Sequence, residues 1–181
     1  MRYFQDSDGC LANFDQQVFN FFGKWPREIP DDDMWAMILE IADEFWSTMP
    51  LKYGAIDLWE LLVEKSPLRL VGEGITAKYE KVMPIILTGC PKNHFEVAAA
   101  HKIAKAKEHF GDEVQIITCL SRNKPLHMES PGDILIDDFA RNTRRWIKAG
   151  GRAVHYRTFE QAVTDFKALI EVSENEEVRE G

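Results

Sequence analysis

Two aspartates stand two residues apart near the start of the chain, in the run Tyr3-Phe4-Gln5-Asp6-Ser7-Asp8-Gly9. A short strand ending at Asp6, with a glycine to turn the backbone just after Asp8, would deliver both carboxylates to one pocket mouth. One of them can then attack an electrophile while the other moves protons. Taken alone, the run also fits an ordinary turn, where Asp and Gly are common. It does not fit an EF-hand calcium loop, because the later ligand positions fall on Cys10 and Gln17.

Three further groups have the right types to serve those acids. Thr88 and Gly89 close the apolar run Pro84-Ile85-Ile86-Leu87; Ser121-Arg122-Asn123-Lys124 is a polar, basic loop; Asp137 and Asp138 end the run Asp133-Ile134-Leu135-Ile136. Short apolar runs that end in polar residues read as buried parallel strands entering loops. In a parallel α/β sheet the carboxyl ends of the strands share one edge. Acids, hydroxyl, base and acids would therefore converge there, a constellation far more specific than any one of them.

The elements that must position these groups follow from periodicity. Strands are expected at about 2–6, 84–89, 114–119, 133–138 and 152–156, with helices over 13–22, 93–110, 141–149 and 158–172. Strands alternating with helices imply right-handed crossovers and a three-layer Rossmann-like parallel sheet of about five strands, with helices on both faces. Between the first two strands the pattern shifts to aromatic-rich helical segments broken by Pro26, Pro30, Pro50 and Pro67, which predicts a small helical cap. Its helices would begin near Asp31, Asp43 and Ala55, while 70–81 has no clear assignment. The expected division is an α/β core of 1–15 and 82–172, a cap insert of 16–81, and an acidic, disordered tail of 173–181.

Composition bounds the function. With 181 residues, 45% hydrophobic, the chain can bury one sizeable core. Its 22 basic and 30 acidic residues, net −8, exclude binding to long nucleic acid through a basic stripe, yet leave room for a small anion escorted by a metal. Cys10, Cys90 and Cys119 are odd in number with no Cys-x-x-Cys spacing, which points to buried thiols and not to a disulfide framework or structural zinc. No apolar run reaches the roughly 18 to 20 residues that span a bilayer, and no basic-then-apolar leader is present, so the expected location is the cytoplasm, without membrane contact. His94, His101 and His127 lack metal-ligand spacing and are expected to be structural or at the surface.

The ordered motifs resemble those of the haloacid dehalogenase-like (HAD) hydrolase superfamily: Asp-x-Asp, a Thr or Ser, a Lys and paired acids. The segments Asp8-Gly9-Cys10-Leu11-Ala12-Asn13-Phe14, Pro50-Leu51-Lys52-Tyr53-Gly54-Ala55, Ile86-Leu87-Thr88-Gly89-Cys90-Pro91 and Ile134-Leu135-Ile136-Asp137-Asp138 resemble its 5′(3′)-deoxyribonucleotidase branch. The resemblance implies a magnesium-dependent phosphatase in which Asp6 forms an aspartyl-phosphate and Asp8 is the acid and base. It implies a Mg2+ site built from Asp6, the Asp8 carbonyl and the Asp137/Asp138 pair, with Asp138 and Asn142 the best match to the superfamily spacing. Thr88 and Gly89 would bind the phosphoryl group.

By the same resemblance Arg122 would lie near the phosphate, and the superfamily lysine would be Lys102, with Lys124 the alternative. Phe14, Trp35, Phe45 and Trp46 match or neighbour the branch's aromatic pocket, where a planar ring would stack. The implied substrate is a small phosphorylated molecule, a nucleoside monophosphate first and a sugar phosphate second; an inactive binding protein is the third option, and a homodimer is left open. Two departures bear on the substrate: Gly89-Cys90 replaces the branch's Ser, and Phe139 stands where that branch often has Arg.

Overall fold

The structure, a computed structural model, describes residues 1–180, with side chains described for all of these except Gly74 and 173–180. In chain order it comprises β1 (Tyr3–Gln5), α1 (Phe14–Phe22), α2 (Asp31–Glu40), α3 (Ala42–Ser47), α4 (Ala55–Glu64), β2 (Leu68–Val71), β3 (Lys78–Lys81) and β4 (Ile85–Gly89). There follow α5 (Phe95–Phe110), β5 (Gln115–Cys119), β6 (Ile134–Asp137), α6 (Ala140–Lys148), β7 (Arg152–His155) and α7 (Phe159–Glu180). The expected acidic tail of 173–181 falls on residues whose side chains lie outside this description.

Five strands form one parallel sheet in the order β5-β4-β1-β6-β7. The first strand of the chain is therefore its central strand, paired with β4 on one side and β6 on the other. Successive side chains of a strand point to opposite faces, and in β1, β4 and β6 both faces are buried. Phe4, Ile85, Leu87, Leu135 and Cys119 pack on one face around Trp146 of α6; Tyr3, Ile134, Ile136 and Val154 pack on the other with Phe166 and Ile170 of α7. The result is a Rossmann-like α/β sheet covered by helices on both faces.

The stretch between β1 and β4 is not one separate helical unit. Helix α4 belongs to the sheet: Leu58 and Leu62 share a cluster with Tyr3, Ile134 and Phe166, while Ala55 and Trp59 pack with Ile86 and Ala106. The Tyr3 hydroxyl donates to the Lys65 carbonyl at 2.9 Å and pins the end of this helix. Helices α1 to α3 form their own aromatic cluster, with Val18, Ile38, Phe45, Trp46 and Met49 against Ala98 of α5. The unassigned residues 70–81 lie largely in an antiparallel hairpin of β2 and β3, an addition to the helical cap expected there. Its strands, Leu68-Arg69-Leu70-Val71 and Lys78-Tyr79-Glu80-Lys81, mix apolar and charged side chains without a regular period, and all are exposed except the half-buried Val71.

Two local devices fix the site loop. Asn13 caps α1 by accepting from the Gln16 N–H at 3.3 Å. The segment that returns from the cap is stitched to the loop after β1, with Asn13 N donating to Pro50 O at 2.8 Å and Lys52 N to Leu11 O at 2.7 Å. Among the described residues no helix is long and apolar enough to cross a membrane.

Candidate active site

All five strands run the same way, so the ends of β1, β4, β5 and β6 meet at one edge. Asp6 follows β1, Thr88 and Gly89 end β4, a 3-10 helix of Ser121–His127 leaves β5, and Asp137 ends β6. The expected convergence is present.

At its centre is Lys124, whose side chain is fully buried. Its ammonium lies 2.7 Å from Asp6 Oδ1 and 2.6 Å from Asp137 Oδ2. A buried ammonium survives only with such partners, and the two carboxylates hold its pKa above the ordinary lysine value despite burial. Lys102, also buried, serves the second acid. Its Nζ lies 2.5 Å from Asp8 Oδ2, donates to Gly89 O at 2.6 Å and to Thr88 Oγ1 at 3.2 Å, and sits 4.7 Å above the Trp46 ring. Both candidate lysines thus belong to the site, and the one touching Asp6 is Lys124.

The paired acids divide their work differently from the expected match of Asp138 with Asn142. Asn142 Nδ2 donates to Asp137 at 3.1 and 3.2 Å, and the Phe139 N–H donates to Asp137 Oδ1 at 2.8 Å. Asp137 is accordingly consumed by protein donors. Asp138 is exposed, and its carboxylate has no hydrogen bond or ion pair among the described residues.

Asp6, Asp8 and Asp138 are raised above the ordinary carboxylate range, in each case by burial first. Burial pushes the Asp6 carboxyl up to about 6, with Lys124 opposing and Asp137 adding to the rise. Asp8 is raised by burial, with Lys102 opposing. Asp138 is pushed up to about 8 by desolvation and then by Asp6, Asp137 and Asp8. Oxygens of Asp6, Asp137 and Asp138 lie within 4.8 Å of one another, a hard-oxygen donor set that suits magnesium, and excess negative charge is what a divalent cation would neutralise. Gly9 shapes this corner: its φ of +74° is left-handed, and a Cβ there would collide with the Asp138 carboxylate. Lys52 Nζ donates to Gly9 O at 2.6 Å.

The remaining expected residues are placed unevenly. Thr88 is buried with its hydroxyl on Lys102, and a Cβ at Gly89 would meet Ser121 Oγ, so the ends of β4 and β5 approach closely at that position. Arg122 is exposed, with no hydrogen bond or ion pair to the acids among the described residues. Phe14 is half-buried and contacts Trp35, Phe45 and Trp46 at ring separations of 5.8, 5.7 and 6.3 Å. Phe45 and Trp46 are buried core residues; Trp35 is exposed. A cavity of about 30 Å³ behind Asp8 and Lys102, reaching His109 and Phe110, has room for water and not for a substrate.

The sequence did not single out Lys52 as a site residue, although Pro50-Leu51-Lys52-Tyr53-Gly54-Ala55 carried part of the resemblance. His94, expected to be structural or at the surface, is buried with neither ring nitrogen partnered. No protein-family model matches the chain. No curated protein matches it either.

Proposed function

We propose that the chain is a magnesium-dependent phosphomonoester hydrolase of small phosphorylated metabolites, with nucleoside monophosphates as substrates. The observation that carries this is the allotment of two neighbouring carboxylates to two buried lysines, Asp6 to Lys124 and Asp8 to Lys102. That arrangement gives two acids of one loop separate environments, as a nucleophile and a proton carrier require.

Asp6 Oδ1 is held by the Ser7 N–H at 2.8 Å and by Lys124, which fixes the carboxylate and leaves Oδ2 to attack phosphorus. The attack makes an oxygen–phosphorus bond to Asp6 and breaks the ester bond, and the departing alkoxide takes a proton from Asp8. Water then attacks the aspartyl-phosphate while Asp8 takes its proton, so Asp6 and inorganic phosphate are released and Asp8 is restored. Burial favours the protonated form of Asp8, as the first step needs. Lys102 and the Thr88 hydroxyl hold phosphoryl oxygens. Asp6 and Asp138 would ligate magnesium with Asp137 behind them, and the bound ion would supply positive charge against repulsion between carboxylate and phosphoryl oxygens. The likeness to haloacid dehalogenase-like hydrolases supports the same assignment.

The test is release of inorganic phosphate from a panel of nucleoside and sugar monophosphates, with and without magnesium, by the parent and by Asp6→Asn. Magnesium-dependent turnover abolished by the substitution is expected; equal turnover by both proteins refutes the nucleophile. A phosphatase for smaller leaving groups is the second reading, favoured by the burial of Phe45 and Trp46, which removes two of the four rings expected to face a base. Sugar phosphates turned over as well as nucleotides would establish it.

A further inference from the structure

The hairpin of β2 and β3 leaves its apolar side chains uncovered. Leu68, Leu70 and Tyr79 are 62%, 56% and 70% exposed, and Ile75 between the strands is fully exposed. The register sets Leu68 opposite Lys81, Arg69 opposite Glu80, Leu70 opposite Tyr79 and Val71 opposite Lys78. Opposed residues share a face, so Leu68, Leu70, Tyr79 and Lys81 lie on one face and the charged pairings on the other. Lys81 Nζ fastens the base of the hairpin to α4 by donating to Val63 O at 3.1 Å.

Among the described residues each of these strands pairs only with the other, so each has an open edge. Val82 N donates to Pro67 O at 2.8 Å, and along an antiparallel pair the backbone groups turn alternately inward and outward. Counted from that bond, Arg69 and Val71 turn their N–H and C=O toward β3, and Leu68 and Leu70 turn theirs to the open edge. The two edges differ in charge. Along β3 stand Lys78, Glu80 and Lys81, residues of the kind that keep an edge from pairing; β2 has Arg69 alone, already opposite Glu80. An edge with free backbone groups and apolar side chains is a template for another strand.

We propose that β2 pairs antiparallel with β2 of a second copy of this chain about a two-fold axis at Leu70, making a four-stranded sheet in the order β3-β2-β2-β3. Leu70 then lies opposite Leu70 of the second copy, with a Tyr79 flanking each, an apolar row across all four strands. Charge selects this register. An axis at Arg69 would set two guanidinium groups against each other, whereas the axis at Leu70 sets each Arg69 opposite a Val71 and leaves Glu80 on its other side. The segment 68–83 has three basic and two acidic residues on a chain of net −8, so two copies meet where acid does not face acid. The pairing closes as a dimer because the outer edges of the new sheet are the charged edges of β3.

The test is the oligomeric state of the full chain by analytical ultracentrifugation, for the parent, Leu70→Lys and Leu70→Glu. The parent dimerises. Each variant is monomeric, because it sets like charges together at the axis, and an equimolar mixture of the two variants returns to dimer. Leu70 is exposed, so neither substitution disturbs the core. A parent that stays monomeric up to about 0.1 mM overturns the proposal, as does a dimer that survives in both variants or a loss that mixing does not repair. Cross-linking checks the register separately. Cys10, Cys90 and Cys119 are buried, so Leu70→Cys supplies an exposed thiol. Residues paired at this axis have Cα atoms about 5.5 Å apart, within disulfide reach, and the variant oxidises to a covalent dimer. In Tyr79→Cys the two thiols lie three strand spacings apart, about 14 Å, and do not join. Cross-linking of both variants alike, or of neither, overturns the pairing.

Discussion

The Lys124 ammonium lies 2.7 Å from Asp6 Oδ1, and both side chains are buried. The same ammonium holds Asp137, so one buried cation joins the end of β1 to the end of β6. Removing it leaves two adjacent carboxylates without their shared counter-charge, and breaking a buried ion pair from one side costs about 3–5 kcal/mol. Lys124→Met is expected to lose about that much stability near neutral pH, measured by urea unfolding, together with all phosphatase activity. Lys124 holds the Asp6 carboxyl down at about 6 against its burial, so in the variant Asp6 takes up a proton at higher pH than in the parent, which relieves part of the damage, and the deficit shrinks at pH 5. A variant as stable as the parent at both pH values contradicts the clamp.

On the proposed mechanism Lys102 bears on proton transfer. Its charge and hydrogen bond oppose the burial that raises Asp8, so Lys102→Met is expected to raise the Asp8 pKa further. The pH dependence of kcat/KM then moves to higher pH on the limb set by Asp8, and kcat falls about 100-fold or more as acid–base catalysis is impaired. Loss of rate with an unmoved pH profile would reduce Lys102 to a phosphate contact.

The sheet and its polar strand ends were legible in the sequence because each depends on a local pattern: short apolar runs, each closing on Asp6, Thr88 or Asp137. The lysine assignment was not local. Lys102, Lys105 and Lys107 look alike on a helix, and only the fold shows that Lys102 turns inward and Lys105 pairs with Glu108 at 3.0 Å. Lys124 sits in a stretch that read as a polar loop, and its burial comes from the closure of two other strand ends around it. Asn142 matches Asp138 by the superfamily spacing, whereas its amide donates to Asp137. The β2–β3 hairpin escaped detection because its faces bury almost nothing, so no apolar period marks it.

Gly9→Ala tests the corner beneath Asp138. An alanine there must adopt φ near +74°, and its Cβ meets the Asp138 carboxylate. The left-handed backbone alone costs about 1–2 kcal/mol. The larger effect is expected on the metal: displaced Asp138 weakens magnesium binding, so the concentration giving half-maximal activity rises at least about tenfold, more than a loss of stability alone explains. Unaltered magnesium dependence would separate Asp138 from the ion.

Asp138 and Asp6 also set the pH dependence of the metal-free protein. Both carboxyls are raised in the fold, to about 8 and about 6, from an unfolded value near 3.8. The folded state thus holds protons that the unfolded chain has released, and stability falls as pH rises from about 4 through 6 and toward 8. Asp138 is partly exposed, so solvent screening reduces its share. On the proposed function magnesium would bind the deprotonated carboxylates and oppose the decline, so its stabilising effect is expected to grow with pH. Thermal unfolding in chelator and in magnesium at pH 5, 6.5 and 8 measures this directly. Asp138→Asn, which cannot ionise, is expected to flatten the slope above pH 6 and to lose most of the magnesium effect; a magnesium shift equal at all three pH values would place the ion elsewhere.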